Sequence, residues 1–168
     1  MIVVSDTSPI TNLAAIGQLD LLRQLYRAIV IPFAVNNEMT GTSKPVPGAL
    51  EVQTFDWIRT QAVADAQSVT DLQMRHISID RGEAEAIALA VELNAGLLLM
   101  DERRGRLLAN SYDLKVTGLL GVILLAKHQA LIPAVKPLID QMIAKADFRV
   151  SSQLYEIVLN SAGEVSTT

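Results

Sequence analysis

The chain has 168 residues, a natural length for one domain; half of them are apolar, 4% are aromatic and none is cysteine. The lack of cysteine excludes disulfides, thiolate zinc sites and cysteine nucleophiles, and an Ala-, Leu-, Ile- and Val-built core suits helices packed on a parallel sheet. A net charge of −4 argues against polyanion binding driven by the field of the whole protein, so any nucleic acid must be held by a local basic patch.

Ile2 to Val4 is a β-branched run that predicts a strand, with Ser5 and Asp6 directly after it. Thr7, Ser8 and Pro9 then supply a cap and a proline suited to a helix start. The helical pattern from Ile10 to Ile16 stops at Gly17, and Leu19 to Tyr26 carries a second apolar face. Ala28 to Ile31 is the next strand candidate, and Pro32 opens a short helix that carries Glu38 near its end. Gly41 to Gly48 is a loop by its Gly, Pro and Ser content. A helix from about Ala49 to Phe55 leads to a short edge strand within Trp57 to Val63, and Asp65 to Arg75 is helical with Val69, Leu72 and Met74 inward.

The most informative stretch runs from Asp80 to Ala109. Gly82 and Glu83 open an Ala-rich helix that Asn94 and Gly96 close, Leu97 to Met100 form a buried strand, and Asp101 follows at once. At about 100° per residue, Ile87, Ala90 and Val91 share a side with Glu83, while Glu85 and Glu92 point the other way. Glu83 therefore heads the buried face, with Glu85 in reserve. Arg106 to Ser111 continues as helix and Leu114 to Thr117 is a last parallel strand. Leu119 to Ala130, Ala134 to Lys145 and Ser152 to Ser161 are helical, the last after a short apolar link from Phe148 to Val150. A single domain over residues 1–162 and a flexible tail over 163–168 are expected. The N-terminus lacks the features of a secretory signal, and the apolar, uncharged segment Val116 to Ala126 is too short to cross a bilayer. A soluble, cytoplasmic protein is the expectation.

Four acids stand out: Asp6, Glu38, Glu83 and Asp101. Two follow strands and two sit on flanking helices, so all can project into one end of a parallel sheet, where open α/β folds carry their chemistry. Like charges held together destabilise a fold unless neutralised, and hard oxygen donors without Cys or a His pair select Mg²⁺ or Mn²⁺ over Zn²⁺. Asp6 and Asp101 are equally suited to the N-termini of the helices that follow them. Arg81, Arg103, Arg104 and Arg106 crowd the same sequence and form a candidate phosphate-binding cluster. Ser8 and Asn12, one helical turn apart, and Thr117 at a strand end are candidate supports of the site. His76 and His128 stand alone, without metal-ligand spacing.

With these residues in place, the sequence resembles the PIN-domain nucleases, including the toxin ribonucleases of bacterial toxin–antitoxin pairs. VVSDTSPITNL resembles the family's first strand and acid, Glu38 lies where its second acid is expected, and RGEAEAIALA with LLLMDERRGRLLA resembles the third and fourth. The GEAEA and DERRGR forms are most similar to a little-characterised subgroup paired with small antitoxins. The resemblance implies a three-layer α/β/α fold around a mostly parallel sheet of four to five strands. It further implies that Asp6, Glu38, Glu83 and Asp101 bind Mg²⁺ or Mn²⁺ for hydrolysis of RNA by an activated water, leaving 5′-phosphate and 3′-hydroxyl ends. The implied partners are RNA and a small protein antitoxin; apolar helices near both ends of the chain add the expectation of a homodimer. Two departures are visible: Thr117 and Gly118 stand where many relatives have a further acid, and the third acid, often Asp, is Glu83. The alternative is a catalytically inactive PIN-fold module that binds RNA or protein. A phosphotransfer domain is disfavoured, because Ser8 stands where the haloacid-dehalogenase type needs a second Asp, and Thr117 to Leu120, at the last strand's end, offers no Lys as receivers require.

Overall fold

Alternation along short strands sets the layers. In the computed structural model, which describes residues 1–165, Val3, Leu97, Leu99, Ile29 and Ile31 pack to one side of the sheet. Val4, Leu98 and Met100 pack to the other, as a side-chain period of two requires. The strands are β1 (Val3–Ser5), β2 (Ile29–Pro32), β3 (Ile58–Gln61), β4 (Leu97–Leu99) and β5 (Val116–Thr117). All neighbours are parallel, in the order β3-β2-β1-β4-β5. The expected α/β/α architecture is what forms, with five strands and no antiparallel member among the described residues.

The order matters for function. From β1 the chain winds outward to β2 and β3, then crosses back to β4 and β5 on the other side. The direction of winding reverses between β1 and β4, and the connections leaving their carboxyl ends part there, opening a crevice. Asp6 is the first residue past β1, its backbone N–H donating to the Leu99 carbonyl at 2.9 Å, and Asp101 stands two residues past β4. Both acids thus emerge at the switch point.

Ten helices cover the sheet among the described residues: α1 (Thr7–Ala15), α2 (Asp20–Tyr26), α3 (Phe33–Thr40), α4 (Ala49–Thr54), α5 (Ala66–Arg75), α6 (Arg81–Glu92), α7 (Arg103–Ser111), α8 (Leu119–His128), α9 (Lys136–Lys145) and α10 (Ser152–Ser161). Leu119, Val122, Ile123 and Ala126 of α8 face the larger core with Leu138, Ile139 and Met142 of α9. The smaller core, on the other face, is built by α5, α6 and α7. None of these helices is long and apolar enough to cross a membrane.

α6 departs from its expected one-faced character. Residues Gly82 to Ala90 are all buried, whereas Val91, expected inward, is 48% exposed. The reason is packing on two sides: α6 lies against the sheet and also contacts α3 and α5. Its small alanines allow that close approach. Glu85, expected outward, is therefore buried, and its carboxylate accepts from the Ala34 backbone N–H at 2.8 Å in the first turn of α3. Met74, expected inward, is exposed. The tail expected from residue 163 is anchored at its start: the Glu164 carboxylate accepts from Lys127 Nζ at 2.8 Å and from the backbone N–H groups of Val135 and Lys136. Residues 166–168 of that expected tail lie outside the described residues.

Candidate functional site

Asp6 sits at the N-cap position of α1, yet its side chain does not cap that helix. It is 6% exposed and lines a cavity of about 300 Å³ with Glu38, Glu83, Asp80 and Glu102. Burial pushes its carboxyl up to about 8 from an ordinary 3.8; the Thr7 backbone N–H offsets part of this, and the charges of Glu83, Asp80 and Glu38 add to it.

Local chemistry holds the neighbouring carboxylates in place. Glu83 closes a capping box with Asp80: the Glu83 N–H donates to Asp80 Oδ1 at 2.8 Å, and the Asp80 N–H donates to Glu83 Oε2 at 2.9 Å. Glu38 accepts from the Thr7 hydroxyl at 2.6 Å. Desolvation, reinforced by the surrounding acids, raises both glutamates above the usual carboxylate range. Gly82 leaves room for the Glu38 carboxylate: a Cβ there would run into it, its carbon only 3.1 Å away, and would push it aside.

Asp101 lies on an adjoining cavity of about 620 Å³, with Arg106, Thr117, Gly118 and Arg149. Ser8, Asn12, Glu102 and Asp147 line both cavities, so the two meet along these residues. The Leu119 backbone N–H, at the start of α8, donates to Asp101 Oδ1 at 2.7 Å. Asp101 Oδ2 is buried with no hydrogen-bond partner. Burial raises the Asp101 carboxyl; the Leu119 N–H and the Arg106 guanidinium offset part of the rise.

The four expected acids thus divide three and one over adjoining cavities. Ser8 and Asn12 stand between them, and Thr117 belongs to the Asp101 side. Of the expected cluster of arginines, Arg106 flanks Asp101. Arg81 turns to the other side of Glu38, where its Nε lies 3.1 Å from Glu85 Oε1. Arg103 and Arg104 are exposed on α7 and line neither acidic cavity. Asp80, Glu102, Asp147 and Arg149 escaped the sequence reading. Asp80 was the most accessible of these, since Asp80-x-x-Glu83 before an apolar helix is a capping-box signature.

The donor set fits a hard divalent cation. It offers carboxylates whose protons are held by burial and by the neighbouring acids, and one buried oxygen without a partner, and it contains no thiolate. As they stand, no three His, Asp or Glu side chains among the described residues are gathered to hold one ion. Thr7 and the Asp80 N–H hold Glu38 and Glu83 by one oxygen each. A family model described as PIN domain matches residues 2–164. A search of curated proteins returns no match.

Proposed function

Since the chain belongs to the PIN-domain family, whose general activity is that of a nuclease, we propose that it is a metal-dependent endoribonuclease that hydrolyses RNA phosphodiester bonds. The observation that carries this reading is the buried Asp6, ringed by Glu38, Asp80 and Glu83, at the carboxyl end of the strand next to that of Asp101. Asp6, Glu38, Glu83 and Asp101 would hold Mg²⁺ or Mn²⁺. When bound, the ion supplies Lewis-acid stabilisation of phosphate charge and a lowered pKa for water.

The chain's own residues orient the reaction. The Leu119 N–H holds one oxygen of Asp101 and leaves Oδ2 to the site. The capping box and the Thr7 hydroxyl limit how far Glu83 and Glu38 can swing. Ser8 and Asn12, between the cavities, are placed to hydrogen-bond a phosphate oxygen or a water, and Arg106 to take the charge of a phosphate beside Asp101. With Thr117 in place of a further acid, ion binding rests on the acids of α3 and α6 and those just past the ends of β1 and β4.

In its finer form the proposal is a cytoplasmic toxin, restrained by a small protein antitoxin and acting as a homodimer; the GEAEA and DERRGR stretches support it by their similarity to the antitoxin-paired subgroup. Purified protein incubated with structured RNAs and either ion tests the activity. Cleavage that Asp101→Asn abolishes is the expected result; intact RNA with both ions, or equal cutting by the variant, refutes it. The dispersed resting positions of the acids favour one alternative, an inactive PIN-fold module that binds RNA or protein. Isothermal titration with Mn²⁺ separates the two, because such a module need take up no ion here.

A further inference from the structure

On the side of Glu38 away from Asp101, the acidic centre adjoins a cavity of about 590 Å³. Its walls are small and apolar, from Ala62, Val63 and Ala66, and its polar groups are few: Glu38, shared with the acidic centre, Asn37, Arg81 and Glu85. Phe33 forms part of the rim. It is the first residue of α3 and is 52% exposed, although Pro32, Ala34 and Val35 around it are buried. The core gains little from an aromatic ring left half in water at the mouth of a cavity.

Arg81 is oriented without being consumed. Its Nε donates to Glu85 Oε1, while Glu85 Oε2 is fixed by the Ala34 N–H. Glu85 is buried and the Arg81 side chain is 70% exposed. Among the described residues, the Nη groups of Arg81 have no acceptor within hydrogen-bond reach. They remain available to an anion. Arg106 and Arg149 occupy the far flank of the acidic centre, so cationic groups stand on both sides of the acids, as a polyanion laid across them would need.

The geometry points to a nucleobase subsite: this cavity takes one unstacked base of a single-stranded RNA, with a face on the Phe33 ring, an edge toward the Asn37 amide and the adjoining phosphate on Arg81. The inference rests on the nuclease reading of the neighbouring acids. A flat base with apolar faces and a polar edge matches the lining, and Asn37 offers both a donor and an acceptor. A base stacked and paired in a duplex cannot enter, which makes the site selective for single strands or loops.

The test uses the full chain in EDTA and a fluorescent single-stranded RNA of about eight nucleotides, a length within the usual range of such sites, with a blunt RNA duplex in parallel. Phe33→Ala should weaken single-strand binding about tenfold, the worth of one base–aromatic stack, and leave duplex affinity unchanged. Phe33→Trp should restore it. Arg81→Ala should lower the slope of log affinity against log salt by about one. Unchanged single-strand affinity in Phe33→Ala, or an equal loss for the duplex, overturns the subsite. Cleavage with Mn²⁺ keeps the two readings apart. If the parent cuts RNA and Phe33→Ala retains its Kd and KM, the subsite fails while the nuclease stands. If the parent is inert but Phe33→Ala loses single-strand binding, the subsite stands and the nuclease reading fails.

Discussion

Replacing Asp6 by Asn should stabilise the metal-free protein. Asp6 is 6% exposed, and its carboxyl is raised from 3.8 to about 8, by burial first and by the neighbouring acids as well. A carboxyl raised on folding binds its proton more tightly in the folded than in the unfolded chain. Its contribution to stability is therefore complete below the unfolded value of 3.8 and is lost as pH rises through about 8. Some four units at about 1.4 kcal/mol each set a ceiling of roughly 5–6 kcal/mol on the cost of ionising Asp6 in alkaline buffer. An Asn avoids the charge but buries an amide that must find partners, which returns about 1–3 kcal/mol. At most about 2–5 kcal/mol of net gain remains; at the low end of that range, and at about 2–4 °C per kcal/mol for a chain of this size, the melting temperature should rise by about 4–8 °C. Calorimetric melts in EDTA at about pH 5 and about pH 8.5 are the assay, and the difference between parent and variant should shrink at the acidic end. An equal or lower melting temperature for Asp6→Asn at the alkaline end would show that Asp6 carries no such burden.

Other substitutions separate geometry from charge. Gly82→Ala places a methyl group against the Glu38 carboxylate; RNA cleavage should fall at least about tenfold through the displaced acid, while circular dichroism melts move little, since Ala favours the helix by about 1 kcal/mol. Arg106→Ala removes the cation that offsets the raised carboxyl of Asp101; the acidic limb of the pH–rate profile should move to higher pH, and the salt slope of RNA binding should fall by about one. Glu164→Ala releases three hydrogen bonds that tie the end of the chain to Lys127, Val135 and Lys136. Urea unfolding should show a loss of about 1–3 kcal/mol, with cleavage at low temperature unaltered. Excess Mn²⁺ should raise the melting temperature of the parent but not of Asp101→Asn, because an ion that binds only the folded state stabilises it by mass action.

The three central strands were legible because they are short apolar runs, and because an acid directly after a buried run, as at Asp6 and Asp101, marks a strand end. Periodicity failed at α6. A helix covered on two sides by neighbours and built from alanine has no single polar face, so Glu85 was assigned to solvent when it fixes the start of α3 and orients Arg81. The same error grouped the arginines: adjacency in sequence placed Arg81 with Arg106, but they flank opposite sides of the acids. Asp147 and Arg149 reach the site from the loop before α10, and no local pattern announces a contact made across so much chain. Nothing in the spacing of Asp101 foretold that the α8 backbone would hold one of its oxygens and leave the other bare.

A crystal soaked in Mn²⁺ and measured at the manganese absorption edge tests the central claim most directly. An anomalous peak between Asp6, Glu38 and Glu83, with Asp101 Oδ2 turned toward it, is the predicted result. A structure soaked under saturating Mn²⁺ with no peak there, or with manganese only on other surface carboxylates, would contradict the assignment of these acids as a metal centre.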